Sequence, residues 1–178
     1  YKQLKDKAVS PERRQLAKTG VLRSAYMLGN GEEVMLAATD LLAETKVAPE
    51  LSNEAHYYRA KAYLDAGKVE GAMDDLKILA KDTRNIYGAE AKYKVAQIYF
   101  DAGQTEQAEK EVLDYIEVST PHTYWLARSF VLLSDVYMKL GRNLDAKQYL
   151  LSLKQNYQAD DDIAGMIESR LNKLNAEN

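Results

Sequence analysis

The chain has no cysteine. That absence excludes disulfides, thiolate-bound zinc and cysteine nucleophiles, and it leaves the redox compartment open, because a cysteine-free chain survives in any of them. No stretch approaches the roughly 18 consecutive apolar residues of a membrane span, so no direct membrane insertion is expected from this segment. There is no basic stripe either: Lys and Arg alternate with Asp and Glu along the whole length, the net charge is -3 and the pI is near 5.5. Nucleic acid is therefore a poor match as partner. Imidazoles are scarce. His56 and His122 are the two in the sequence, neither has a second metal ligand at helical spacing, and both are expected as surface or hydrogen-bonded side chains. Walker, GxSxG and HExxH patterns are missing, as are an initiator Met and a signal peptide. Because the opening YKQLKDKAVSP reads as the end of a helix already under way, the sequence is expected to be a piece of a longer chain.

What is present is ordinary globular material, 46% hydrophobic and 29% charged, arranged with a helical period. The stretch Glu90 to Glu117 sets the pattern: Ala91, Val95, Ile98 and Tyr99 recur at helical spacing, Gly103 interrupts them, and Ala108, Val112, Tyr115 and Ile116 resume them. This predicts a helix, a glycine turn and a second helix. Ser10 and Pro11 predict a capped start for a helix that the Gly29-Asn30-Gly31 cluster ends, followed by a helix from Glu32 to Thr45. Pro49 reads as a break, with helices over Asn53 to Ala66 and Glu70 to Lys81 and a connector from Asp82 to Gly88. Ser119, Thr120 and Pro121 read as a capping signal, and the helix they open runs through Trp125 and Phe130 to Gly141. Asp160 to Asp162 read as the first turn of a last helix with Ile163, Ile167, Leu171 and Leu174 on one face, acidic residues there suiting the helix dipole.

The strongest signal is repetition. Tyr63, Gly67, Ala72 and Leu76 return 36 residues later as Tyr99, Gly103, Ala108 and Val112, and 38 residues further on as Tyr137, Gly141, Ala146 and Leu150. The region of Tyr26, Asn30 and Ala37 reads as a weaker copy, slipped by one or two residues. Such a period means stacked supersecondary units, none of which buries its apolar face alone. The small residues Ala72, Ala108 and Ala146 are expected where the two helices of a hairpin cross, the glycines in the left-handed conformation, and Tyr63, Tyr99 and Tyr137 wedged between adjacent hairpins.

These residues, with Ala60, Ala96 and Ser134 one turn ahead of the tyrosines, resemble the tetratricopeptide repeat (TPR) family. The repeats depart from the family in being longer than the usual 34 residues and in lacking its proline near the repeat end after the second and last copies; these departures read as longer helices or connectors, as in TPR proteins of the bacterial cell envelope, which the chain looks like. The resemblance implies an all-α, right-handed superhelix of antiparallel helical hairpins, one TPR-like domain over residues 1–178. Its parts would be the tail of a preceding helix over 1–9, a degenerate repeat over 10–47, repeats over 49–84, 88–118 and 120–157, and a capping helix over 160–175. It also implies a non-catalytic scaffold that holds a protein or peptide along its concave face, without cofactor or metal, with a periplasmic or outer-membrane-associated setting or a cytoplasmic one. The alternative is a structural end segment of a long TPR rod in an envelope complex, with the working surface or a catalytic domain upstream. An enzyme built on the helices would need clustered perturbed side chains, whereas the charge here is dispersed.

Carried over position by position, the exposed concave residues would be Glu54, Tyr57, Lys61, Leu64 and Asp65; then Glu90, Tyr93, Gln97, Phe100 and Asp101; then Arg128, Val131, Asp135, Met138 and Lys139. Tyr57, Tyr93 and Phe100 would anchor the partner, Leu64 and Met138 would extend the apolar lines, and Lys61, Gln97 and Asp135 would set polarity. The Lys and Asn arrangement that clamps a C-terminal carboxylate in some family members is missing. Gly29-Asn30-Gly31-Glu32-Glu33-Val34 begins like a phosphate loop, but its third position is Val and a helical pattern precedes it where that fingerprint needs a strand.

Overall fold

The computed structural model describes residues 10–176, so the expected helix tail over residues 1–9 lies outside the described residues. Nine α-helices and no strand occur among them: α1 (Pro11–Met27), α2 (Gly31–Leu42), α3 (Pro49–Asp65), α4 (Val69–Leu79), α5 (Ile86–Asp101), α6 (Thr105–Glu117), α7 (Thr123–Lys139), α8 (Asn143–Asn156) and α9 (Ile163–Ala176). The chain divides into two compact units, one ending at Leu79 and the other beginning at Ala80.

One corner recurs four times. Gly29, Gly67, Gly103 and Gly141 have φ between 67° and 75°, the left-handed region in which a side chain is strained. At each corner the following amide closes back on the helix it leaves: Asn30 N–H donates to the Ala25 carbonyl at 3.0 Å, Lys68 to Tyr63 at 2.8 Å, Gln104 to Tyr99 at 2.9 Å and Arg142 to Tyr137 at 2.8 Å. This six-residue closure satisfies carbonyls that a helix end otherwise leaves open. The first copy is therefore not slipped: its corner glycine is Gly29, and counting from it places Val34 where Ala72 stands and Ala38 where Leu76 stands. All four are buried, so large and small have changed places along the second helix of the hairpin.

In the first unit α1 packs on α2, α2 on α3 and α3 on α4. Its core includes Leu22, Ala25, Val34, Ala38, Leu41 and Ala55. In the second unit α5 pairs with α6 and α7 with α8, α7 also lies against α5 and α6, and α9 covers α7 and α8. Val112, Leu133, Val136, Leu150, Ile163, Ile167 and Leu174 are among the most deeply buried side chains of that core. Ala72, Ala108 and Ala146 are fully buried, as expected of residues at which two helices cross closely.

Three local expectations need correction. Pro49 opens α3 instead of breaking the chain before it, because a first-turn position has no use for the missing N–H. Ser119, Thr120 and Pro121 do not cap α7, whose N-cap is His122 without a side-chain bond. Thr120 instead donates its hydroxyl to the Thr83 carbonyl at 2.8 Å and accepts the His122 amide at 3.1 Å, joining the connector before α7 to the one before α5. Finally, Asp160 to Asp162 precede α9, which opens at Ile163 with no acidic residue in its first turn. The ring of Tyr63 lies 3.2 Å from where a Cβ at Gly71 would stand and also borders a pocket with Met35, Leu36 and Thr39 of α2, and Tyr137 sits 5.5 Å from Tyr149 of α8.

Candidate functional site

The first helices of the hairpins carry the candidate residues, and their burial separates them. Glu54, Tyr93 and Val131 are buried at 8%, 8% and 3% exposure, so the expectation of an exposed position fails at these three. Each is taken up by a neighbouring helix of its own unit.

On α3, Glu54 accepts two hydrogen bonds of 2.7 Å from the Arg23 guanidinium on α1. These bonds hold the Glu54 carboxyl below its ordinary value against the opposing effect of burial. Lys61 stands 5.5 Å from the centre of the Tyr57 ring and 6.0 Å from that of Tyr26, and Tyr26 stacks on Tyr58 at 3.8 Å. The first unit thus joins Tyr57 and Lys61 into one aromatic and cationic cluster, with Leu64 half-buried further along the helix.

On α5, Tyr93 donates its hydroxyl to Gln97 Oε1 at 2.9 Å, and Gln97 Nε2 donates to Asp101 Oδ1 at 2.8 Å. These i to i+4 steps line one face. Arg128 of α7 covers the Tyr93 ring at 5.1 Å and the Tyr124 ring at 5.8 Å, and it donates to the Tyr124 hydroxyl at 2.9 Å. Burial disfavours the Arg128 charge, but the hydrogen bonds to Tyr124 and Tyr93 outweigh it and raise the pKa.

Further along, Phe100, Asp135 and Met138 meet in one open cleft of about 310 Å³, together with Lys139 and with Lys173 of α9. Asp135 receives both arms of the Arg170 guanidinium, at 2.8 and 2.6 Å. Of the eight leading candidates, the second unit therefore brings three into a single cavity and threads Tyr93 and Gln97 along the helix that leads to it.

Two crystal structures match over nearly all of the chain. One is of the nearly identical TPR-like repeats of a Podosopora anserina protein described as a putative kinesin light chain, with a TM-score of 0.59 and 14% identity over 95% of this chain and 96% of that one. The other, of the same repeats, gives 0.54 and 16% over 92% and 94%. The fold is that of TPR-like repeats. No family model matches the chain, and no curated protein does. At this identity the likeness extends to the TPR-like backbone alone.

Several polar groups of these TPR-like hairpins escaped the sequence reading. Asp75 on α4 is 1% exposed, accepts two bonds from Arg59 at 2.8 and 2.7 Å, and lies 2.7 Å from His56 Nδ1. Burial raises its pKa, but Arg59 and His56 outweigh that and hold it below the ordinary value. His56 and Arg59 stand three apart on one helix face, which is a readable signal. Arg170 lies 35 residues from Asp135, and no local spacing announces that pair. His122 is satisfied as well, its Nε2 lying 3.0 Å from the Arg84 carbonyl.

Proposed function

We propose that this chain is a non-catalytic protein-binding module that takes a peptide or helix of its partner on the first-helix faces of its hairpins. The observation that carries the reading is the meeting of Phe100, Asp135 and Met138, from two consecutive hairpins, in one open cleft. A cavity with an aromatic and a thioether wall and a charged edge suits a buried anchor residue ringed by polar contacts. Tyr93, Gln97 and Asp101 extend a polar track from it along α5.

The test is affinity capture with the chain, comparing wild type with Phe100→Ala plus Met138→Ala at unchanged helix content by circular dichroism. Loss of the specific partners is expected; a double variant that keeps all of them overturns the reading. A second reading, a structural end segment of a longer rod in an envelope complex, has α9 in its favour. That helix buries Ile163, Ile167, Leu171 and Leu174 and turns Glu168, Ser169, Asn172 and Lys173 outward, as a capping unit does. Its envelope setting rests on the sequence resemblance alone, and fractionation of the full-length protein in its source tests it.

A further inference from the structure

We infer that the cleft of the second unit is selective for an acidic segment within a partner chain: a large apolar side chain seated on Phe100 and Met138, with flanking carboxylates drawn to Lys139 and Lys173. The inference rests on the binding role proposed above and specifies its partner. It begins from the charges that line the cavity. Among the described residues Asp135 is the one acidic liner, and both of its oxygens are engaged by Arg170, so its charge is compensated within the protein. Lys139 and Lys173 are exposed and make no ion pair among the described residues. The edge of the cavity therefore carries two uncompensated positive charges in a chain whose net charge is -3, and charge complementarity picks the occupant.

Lys139 and Lys173 stand in the last turns of their helices, where a cation also suits the helix dipole. Each of the two glycine corners beside the cleft closes its own helix end: Gly103 N–H donates to the Phe100 carbonyl and Gly141 N–H to the Met138 carbonyl, at 3.0 and 3.1 Å. Asp101, next to Phe100, is held along α5 by Gln97 and does not line the cavity. The two lysines come from different helices, α7 and α9, and both line the cavity. A pair of cations suits two side-chain carboxylates beside an anchor better than one terminal carboxylate, for which no side-chain amide is among the described liners. At about 310 Å³ the space is at the small end of the about 300–1,000 Å³ typical of ligand pockets, room for an anchor side chain and not for a whole helix.

The experiment uses three synthetic probes with both ends blocked: a leucine flanked by two Glu on each side, the same with Gln, and the same with Lys, plus the Gln peptide carrying a free C-terminus. Binding is measured by fluorescence polarisation on the 178-residue chain at low and at physiological salt. The blocked acidic peptide is expected to bind at least about tenfold more tightly than the Gln and Lys peptides, to weaken with salt, and to lose about tenfold in Lys139→Glu plus Lys173→Glu at unchanged circular dichroism. Equal binding of the Gln and Glu peptides, or indifference to the charge reversal, overturns the inference. Binding that requires the free C-terminus also overturns it in favour of a terminal-carboxylate site. Partners lost in the Phe100 and Met138 double variant but kept in the charge reversal would refute the acidic selectivity while leaving the binding role standing.

Discussion

Ala108 shows how narrow the tolerance is at a single position. It has no exposed surface and lies in the core where α6 meets the neighbouring helices, so a larger side chain has no empty space to enter. Ala108→Trp is expected to destabilise the second unit by at least about 1–3 kcal/mol through overpacking, read as a lower melting temperature; an unchanged midpoint excludes the close crossing. The same logic explains the first hairpin, in which Val34 and Ala38 replace the Ala72 and Leu76 arrangement. The small and the larger residue have exchanged places along α2, and a pattern keyed to alanine at one position aligns Ala37 instead. The signal that sets the register is Gly29, since its φ of 67°, with open space for 4 Å around the point a Cβ would occupy, marks a purely backbone requirement.

Between elements, the decisive contacts are charge clamps that no local rule reveals. The α3–α4 pair closes over Asp75, with Arg59 and His56 on one helix and the carboxylate on the other. Asp75→Asn removes the charge that Arg59 faces in a site exposed by 1%. At pH 7 the expected loss is about 3–5 kcal/mol, the usual cost of breaking a buried pair from one side. The folded-state pKa is lowered, so the carboxylate contributes fully above its unfolded value, about 3.9, and loses that contribution as the pH falls through the lower folded value. The wild-type advantage over Asp75→Asn in urea unfolding is therefore expected to shrink as the pH falls below about 4. An advantage that persists undiminished to about pH 2 contradicts this clamp. The helix boundaries follow the same division. Ser10 is readable as a cap because it bonds the Arg13 amide three residues on, whereas Thr120 bonds across to Thr83 and only mimics a capping signal in sequence.

At the scale of the molecule, a repeat array transmits the loss of a terminal layer to the units that lean on it. Ile167 is 2% exposed at the centre of the face by which α9 covers the second unit. Ile167→Ala is expected to cost about 2–5 kcal/mol and to reduce hydrogen-exchange protection in α7 and α8 as well as in α9. Protection lost in α9 alone would mean that the helix is an appendage and not part of the stack.

In the last three hairpins the sequence by itself determined the glycine corners and the small buried residues that follow them, because these depend on spacing within about 40 residues and on backbone conformations that few residues adopt. Only the tertiary structure decided which first-helix residues stay accessible. Tyr93 and Asp135 share the candidate spacing with Phe100 and Met138, yet one is covered by Arg128 and the other is tied to Arg170, 35 residues away. Helical period fixes the face on which a side chain stands; whether that face meets solvent or another helix depends on what the rest of the chain brings against it.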